Sequence, residues 1–116
     1  MTDTDGDASR TSPARVTGAV ELRELVARES PVLAEFYTRS CAKCAAQEPV
    51  LGIVAREFEG VVAMVDPGED LSALAEYGVR STPGFVRFVD GEPTGTLADG
   101  VIGAERLLAF ARGEQA

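Results

Sequence analysis

The 116-residue chain has no histidine, no tryptophan and no asparagine, only two cysteines, and one lysine against ten arginines. Without histidine and with two cysteines, it cannot supply the usual four ligands of a zinc site unless two copies pool their pairs. No apolar run approaches the roughly 20 residues that a membrane-spanning helix needs. The chain does not open on the charged-then-apolar pattern of a secretory signal. Positive charge is scarce: the formal net charge is -8, and such a surface repels the phosphates of nucleic acid. These exclusions leave an expected soluble, intracellular, cytoplasmic protein that needs neither membrane nor nucleic acid as a partner. The acidic, arginine-over-lysine bias fits a surface adapted to high salt, where self-repulsion is screened, or a GC-rich genome.

What is present reads as one globular domain. Apolar residues make up 45% and charged residues 26% of the chain, enough to build a core at this length without staples. Met1 to Arg15 offers almost nothing to bury and predicts a disordered acidic tail over 1–15, leaving a folded domain over 16–116. The tail holds Asp3, Asp5 and Asp7 against Arg10 and Arg15, so a net of about -7 stays with the domain. A short strand is expected near Ala14-Arg15-Val16. Thr17 is placed to cap a helix whose apolar face is Leu22, Leu25 and Val26. Val32 to Tyr37 reads as a strand, and Leu51, Val54, Ala55 and Phe58 mark a helix from about Cys41 to Glu59. Pro49 should kink it. Val61 to Val65 is continuously apolar, as a strand covered on both faces would be. A short helix around Leu71, Leu74 and Ala75 follows, and Gly78 closes it. Phe85 to Val89, Asp90-Gly91, and Thr94 to Ala98 form a hairpin pattern. Ala104, Leu107, Leu108 and Ala111 give the last helix its buried face. The order of elements predicts an α/β fold: a mixed sheet of four to five strands with helices on both faces.

The chemistry gathers where the first long strand hands over to a helix. Both cysteines lie there, in Cys41-Ala42-Lys43-Cys44. Residues three apart share a helix face, so the two sulfurs can meet. Cys41 falls at the helix N-terminus, where unpaired N–H groups and the macrodipole favour an anion by up to about 2 kcal/mol. That lowers a thiol pKa by up to about 1.5, and the Lys43 cation pushes the same way. The thiolate is the nucleophile of disulfide exchange. A purely structural disulfide would close too small a loop to constrain the unfolded chain much, and cytosolic proteins rarely keep one. A C-x-x-C pair amid alternating strands and helices reads instead as a redox motif.

Three separated features extend this reading: the Cys41–Cys44 motif after a strand, Thr82-Pro83 after Val79-Arg80-Ser81, and Phe88-Val89-Asp90-Gly91-Glu92 with Gly100 before the last helix. Pro49 falls five residues past the second cysteine. In order and spacing the chain resembles the thioredoxin family over about Val16 to Arg112. The resemblance implies a thioredoxin fold, Cys41 as attacking nucleophile and Cys44 as resolving thiol. It further implies that Pro83 is cis and that the Thr82 backbone receives a bound polypeptide. Glu35, six residues before Cys41, would be the buried acid that accepts the Cys44 proton. Glu35-Phe36-Tyr37 is closer to the disulfide-isomerase pattern than to bacterial thioredoxins. The chain departs from the family where tryptophan usually precedes the first cysteine and Gly-Pro separates the two. Ser40 and Ala42-Lys43 stand there, so Ser40 and Lys43 would reshape the substrate-facing surface. Gly84 follows the proline where a bulkier residue is common, and Val62-Ala63-Met64 lacks the lysine that accompanies the acid.

The expected activity is a thiol–disulfide oxidoreductase that reduces protein disulfides, fed by a thioredoxin reductase or a small thiol, with no bound cofactor or metal. Two alternatives stand beside it. One is a disulfide isomerase or oxidase, favoured by Glu35-Phe36-Tyr37 and Thr82. The other is a thioredoxin-fold binding module that serves one dedicated partner.

Overall fold

The computed structural model describes residues 11–68 and 71–114; the part of the expected tail over 1–10 lies outside the described residues, while Ala14 and Arg15, also assigned to that tail, belong instead to the first strand, where they pair with Ala63 and Met64. Among the described residues these elements follow in order: β1 (Ala14–Thr17), α1 (Gly18–Arg28), β2 (Val32–Phe36), α2 (Ala42–Glu57), β3 (Val61–Asp66), α3 (Ser72–Glu76), β4 (Gly84–Val89), β5 (Glu92–Leu97) and α4 (Ala104–Ala111). The strands form one sheet in the order β1-β3-β2-β4-β5. β1, β3 and β2 run parallel, while β4 pairs antiparallel with β2 and β5 with β4. The mixed, two-sided α/β architecture read from the sequence is the one observed.

β2 lies at the centre, and every one of its residues is buried. Its side chains alternate between faces, as the period of a strand requires. Val32, Ala34 and Phe36 join Leu22, Leu25 and Val26 of α1 and Ala73 of α3 in one apolar core. Leu33 points the other way, into a second core with Leu51, Val54 and Ala55 of α2 and Leu107, Phe110 and Ala111 of α4. Glu35 follows Leu33 by two residues and so belongs to this second face.

Several boundaries differ from expectation for local reasons. Thr17 precedes α1 but makes no side-chain cap; its backbone N–H instead donates to Glu21 Oε1 at 2.8 Å. β5 starts at Glu92, earlier than the expected Thr94, and contains Pro93. It is an edge strand, where a proline's missing donor costs no ladder bond, and the register shifts between Arg87 and Phe88 opposite it. The Asp90-Gly91 turn is as anticipated: both residues have positive φ, 52° and 84°, which suits the twist of a two-residue hairpin. Ser30–Pro31 is a second cis peptide beside Thr82–Pro83. The Pro31 carbonyl accepts from Val61 N–H at 3.0 Å, and a Cβ on Gly60 would collide with that same carbonyl.

Candidate active site

Cys41 occupies the N-cap of α2 with extended φ and ψ of -94° and 109°, and its sulfur accepts from the Cys44 N–H at 3.1 Å. The Ala45 N–H bonds the Cys41 carbonyl at 3.2 Å. The first turn therefore wraps around one sulfur, which stabilises negative charge there once the disulfide opens. Cys41 and Cys44 are joined by a disulfide, with Cα atoms 5.2 Å apart. Their exposure differs: Cys41 is half-buried and Cys44 buried. Of the two, Cys41 is the more open to solvent.

From across the fold, the loop before β4 reaches this point. Cys41 Sγ lies 3.6 Å from the Thr82 carbonyl oxygen, and the Thr82–Pro83 peptide is cis. Thr82 is half-buried and Pro83 buried, while Ser40 and Lys43 stand exposed beside the sulfurs. The structure thus brings Cys41, Cys44, Thr82 and Pro83 together and leaves Ser40 and Lys43 on the rim. Gly84 also finds its reason: a Cβ there would run into the Val79 side chain and stand 2.8 Å from the Ser81 carbonyl. A bulkier residue cannot enter without moving the proline loop.

Glu35 is fully buried, and neither carboxylate oxygen has a hydrogen-bond partner. Its register partners are Met64 on β3 and Phe85 on β4, so neither residue directly beside it is a cation. Desolvation pushes its pKa up to about 7, with the Glu48 anion adding to the rise and Arg15 opposing it. An acid tuned to that range can exchange protons near neutral pH.

A cleft of about 120 Å³ opens at the disulfide, walled by Tyr37, Thr38, Cys41, Cys44, Glu48 and Met64 among others. A larger hollow of about 460 Å³ between α2 and α4 has neither sulfur on its wall. One buried polar residue was not singled out from the sequence. Gln47 is completely buried; its Nε2 donates to the Ile102 carbonyl and its Oε1 accepts from the Ile102 N–H, both at 2.8 Å. It pins the loop before α4 to the redox helix. The signal was available: Cys44, Gln47, Leu51 and Val54 follow helical spacing, so Gln47 interrupts an apolar stripe with a group that needs partners.

Comparison with known proteins agrees with this geometry. The family model described as Thioredoxin matches residues 14–112. The thioredoxin of Porphyra purpurea is 34% identical over 95 residues, covering 80% of this chain and 85% of that protein. A Pseudomonas aeruginosa thioredoxin is 31% identical over 97 residues, covering 82% and 89%. The solved structure of a mutant thioredoxin from Halobacterium salinarum superposes with a TM-score of 0.82 at 30% identity, over 93% of this chain and 95% of that one. With its cysteine pair bonded at the head of α2, the chain belongs to the thioredoxin family and is a thiol–disulfide oxidoreductase.

Proposed function

We propose that the enzyme works as a protein-disulfide reductase in the cytoplasm, with Cys41 as nucleophile, Cys44 as resolving thiol and Glu35 as proton acceptor. In the reduced protein, the Cys41 thiolate attacks one sulfur of a substrate disulfide. A Cys41–substrate bond forms, the substrate S–S bond breaks, and the first substrate sulfur leaves as a thiolate. Cys44 then loses its proton to Glu35 and attacks Cys41 Sγ. The Cys41–Cys44 disulfide forms, the second substrate sulfur leaves, and two electrons have passed to the substrate. A reductase or a small thiol returns them.

The Thr82 backbone, whose carbonyl lies 3.6 Å from Cys41 Sγ, would hold the substrate chain in extended form, and Ser40 and Lys43 on the rim would contact it. The observation that carries these roles is the difference in exposure between the two sulfurs, together with the Cys44 N–H donated to Cys41 Sγ. Lys43 favours the thiolate of the reduced form. The potential should therefore lie on the oxidising side of the roughly −270 mV of thioredoxin itself.

Insulin reduction with dithiothreitol tests the activity. The parent should accelerate it and Cys41→Ser should not. Cys44→Ser should accumulate mixed disulfides that persist, and iodoacetamide at neutral pH should label Cys41 of the reduced protein first. Preferential labelling of Cys44, or trapping by Cys41→Ser, would reverse the assignment.

A further inference from the structure

The cross-strand row that contains Glu35 and Met64 continues one strand further, because Met64 is also in register with Arg15 of β1. Register partners share a face of the sheet. Arg15, Met64 and Glu35 therefore all point toward α2, over two strand spacings or roughly 10 Å. The arginine reaches on to the helix, where its Nη2 donates to Glu48 Oε2 at 2.9 Å. Glu48 lies one turn past Cys44 and shares the cleft wall with Cys44 and Met64. The ion pair thus spans from the sheet edge to the redox helix, across Met64, on the side of the sheet where the unpartnered carboxyl is buried.

We propose that the Arg15–Glu48 ion pair is a positioning element for Glu35, setting from the protein surface the pH at which this carboxyl gives up its proton. An anion at Glu48 holds the proton on Glu35, and a cation at Arg15 draws it off. Bonded to each other they nearly cancel, which leaves burial in control. Breaking the pair from one end exposes Glu35 to the charge at the other. Of the other polar groups toward this side of the sheet, Tyr37 lines the cleft, and four more are engaged elsewhere. Gln47 of α2 is bonded to Ile102. Arg87 of β4, two residues from Phe85, donates to the Ala111 carbonyl and Thr94. Arg39, at the cleft, faces Asp66 at 3.5 Å. Cys44 is held in the disulfide. The inference rests on Glu35 as the proton acceptor only for its catalytic consequence, not for the titration itself.

The test uses the full chain with Arg15→Gln, Glu48→Gln and the double variant. Carboxyl ¹³C NMR of the oxidised protein reads the Glu35 midpoint directly. Glu48→Gln should lower it by about half a pH unit and Arg15→Gln should raise it by about as much, as for unit charges roughly 10 Å apart in a partly aqueous medium. The double variant should return to within about 0.2 of the parent, and salt at 1 M should shrink both displacements. Resolution of a Cys41 mixed disulfide below the midpoint should follow, about threefold faster in Glu48→Gln and about threefold slower in Arg15→Gln. Two single variants that move the midpoint in the same direction, or leave it in place, would overturn the proposal. Opposite NMR displacements with unchanged resolution rates would uphold the pair's role and remove Glu35 from the Cys44 step.

Discussion

The two faces of the sheet bury comparable cores but treat polar groups differently. The face under α1 and α3 is apolar throughout its core. The face under α2 and α4 takes in Glu35 and Gln47, the two buried polar side chains among the described residues. These two also differ from each other. Gln47 satisfies donor and acceptor on Ile102, whereas Glu35 satisfies neither oxygen. A buried polar group with partners holds structure together; one without them carries a stability cost that a packed core alone would not select. The first face stabilises the fold, and the second gives up part of that stability to hold a titrating acid beneath the redox helix.

Substitutions on the two faces should expose this division. The largest stability loss is expected on the apolar face, where Phe36→Ala empties a fully buried site and should cost about 3–5 kcal/mol in denaturant unfolding, with little pH dependence. On the other face Glu35→Gln should work in the opposite direction above neutral pH. The folded pKa of Glu35 is raised from 4.5 to about 7. Its contribution is therefore fully present below about pH 4.5 and lost as pH rises through about 7, a change on the order of 3 kcal/mol. Relative to the parent, Glu35→Gln should gain that much between pH 4 and pH 8; a constant difference across this range would mean that the carboxyl is not desolvated.

Gln47→Leu should cost about 1–3 kcal/mol at every pH, because it leaves the N–H and carbonyl of buried Ile102 without partners. A neutral result would show that the loop finds other bonds. The smallest effect concerns neither core. Raising salt from 0.1 M to 1 M contracts the Debye length from about 10 Å to about 3 Å. Relief of the self-repulsion behind a net charge of -8 should lift the melting temperature by several degrees, in potassium chloride as in sodium chloride. A flat melting curve would leave the acidic surface to genome composition.

Much of this division could be read before any coordinates. The apolar run at Val32-Leu33-Ala34 announced a strand, the family resemblance marked Glu35 within it as a buried acid, and Asp90-Gly91 announced the hairpin of β4 and β5. The cysteine pair named the chemistry because its spacing, its place before a helix and the Thr82-Pro83 segment are all local patterns. What stayed hidden depends on contacts between distant segments. Arg15 and Glu48 are 33 residues apart, and Gln47 and Ile102 are 55 apart, so no window along the chain contains either pair. Strand β5 begins two residues before the expected Thr94 and takes in Pro93, which an edge strand tolerates and a central strand would not. The cis bond at Ser30–Pro31 follows the end of α1, where a proline is expected simply as a helix stop. Gly84 looked like a departure from the family until Val79 proved to occupy the space.

The unpartnered carboxyl on the α2 face is the centre of this account, and its role in the Cys44 step can be measured directly. The reduced parent and Glu35→Gln are each loaded at Cys41 with thionitrobenzoate, and release of the coloured thiolate by Cys44 is followed from pH 6 to pH 9. The parent rate should rise through about pH 7, as the acid ionises and becomes a base. The variant should lose that inflection and resolve more slowly, by up to the roughly 10²–10⁴-fold that a positioned base contributes. Equal rates in the two proteins across the whole range would contradict the account and leave Glu35 as a costly but inert resident of the core.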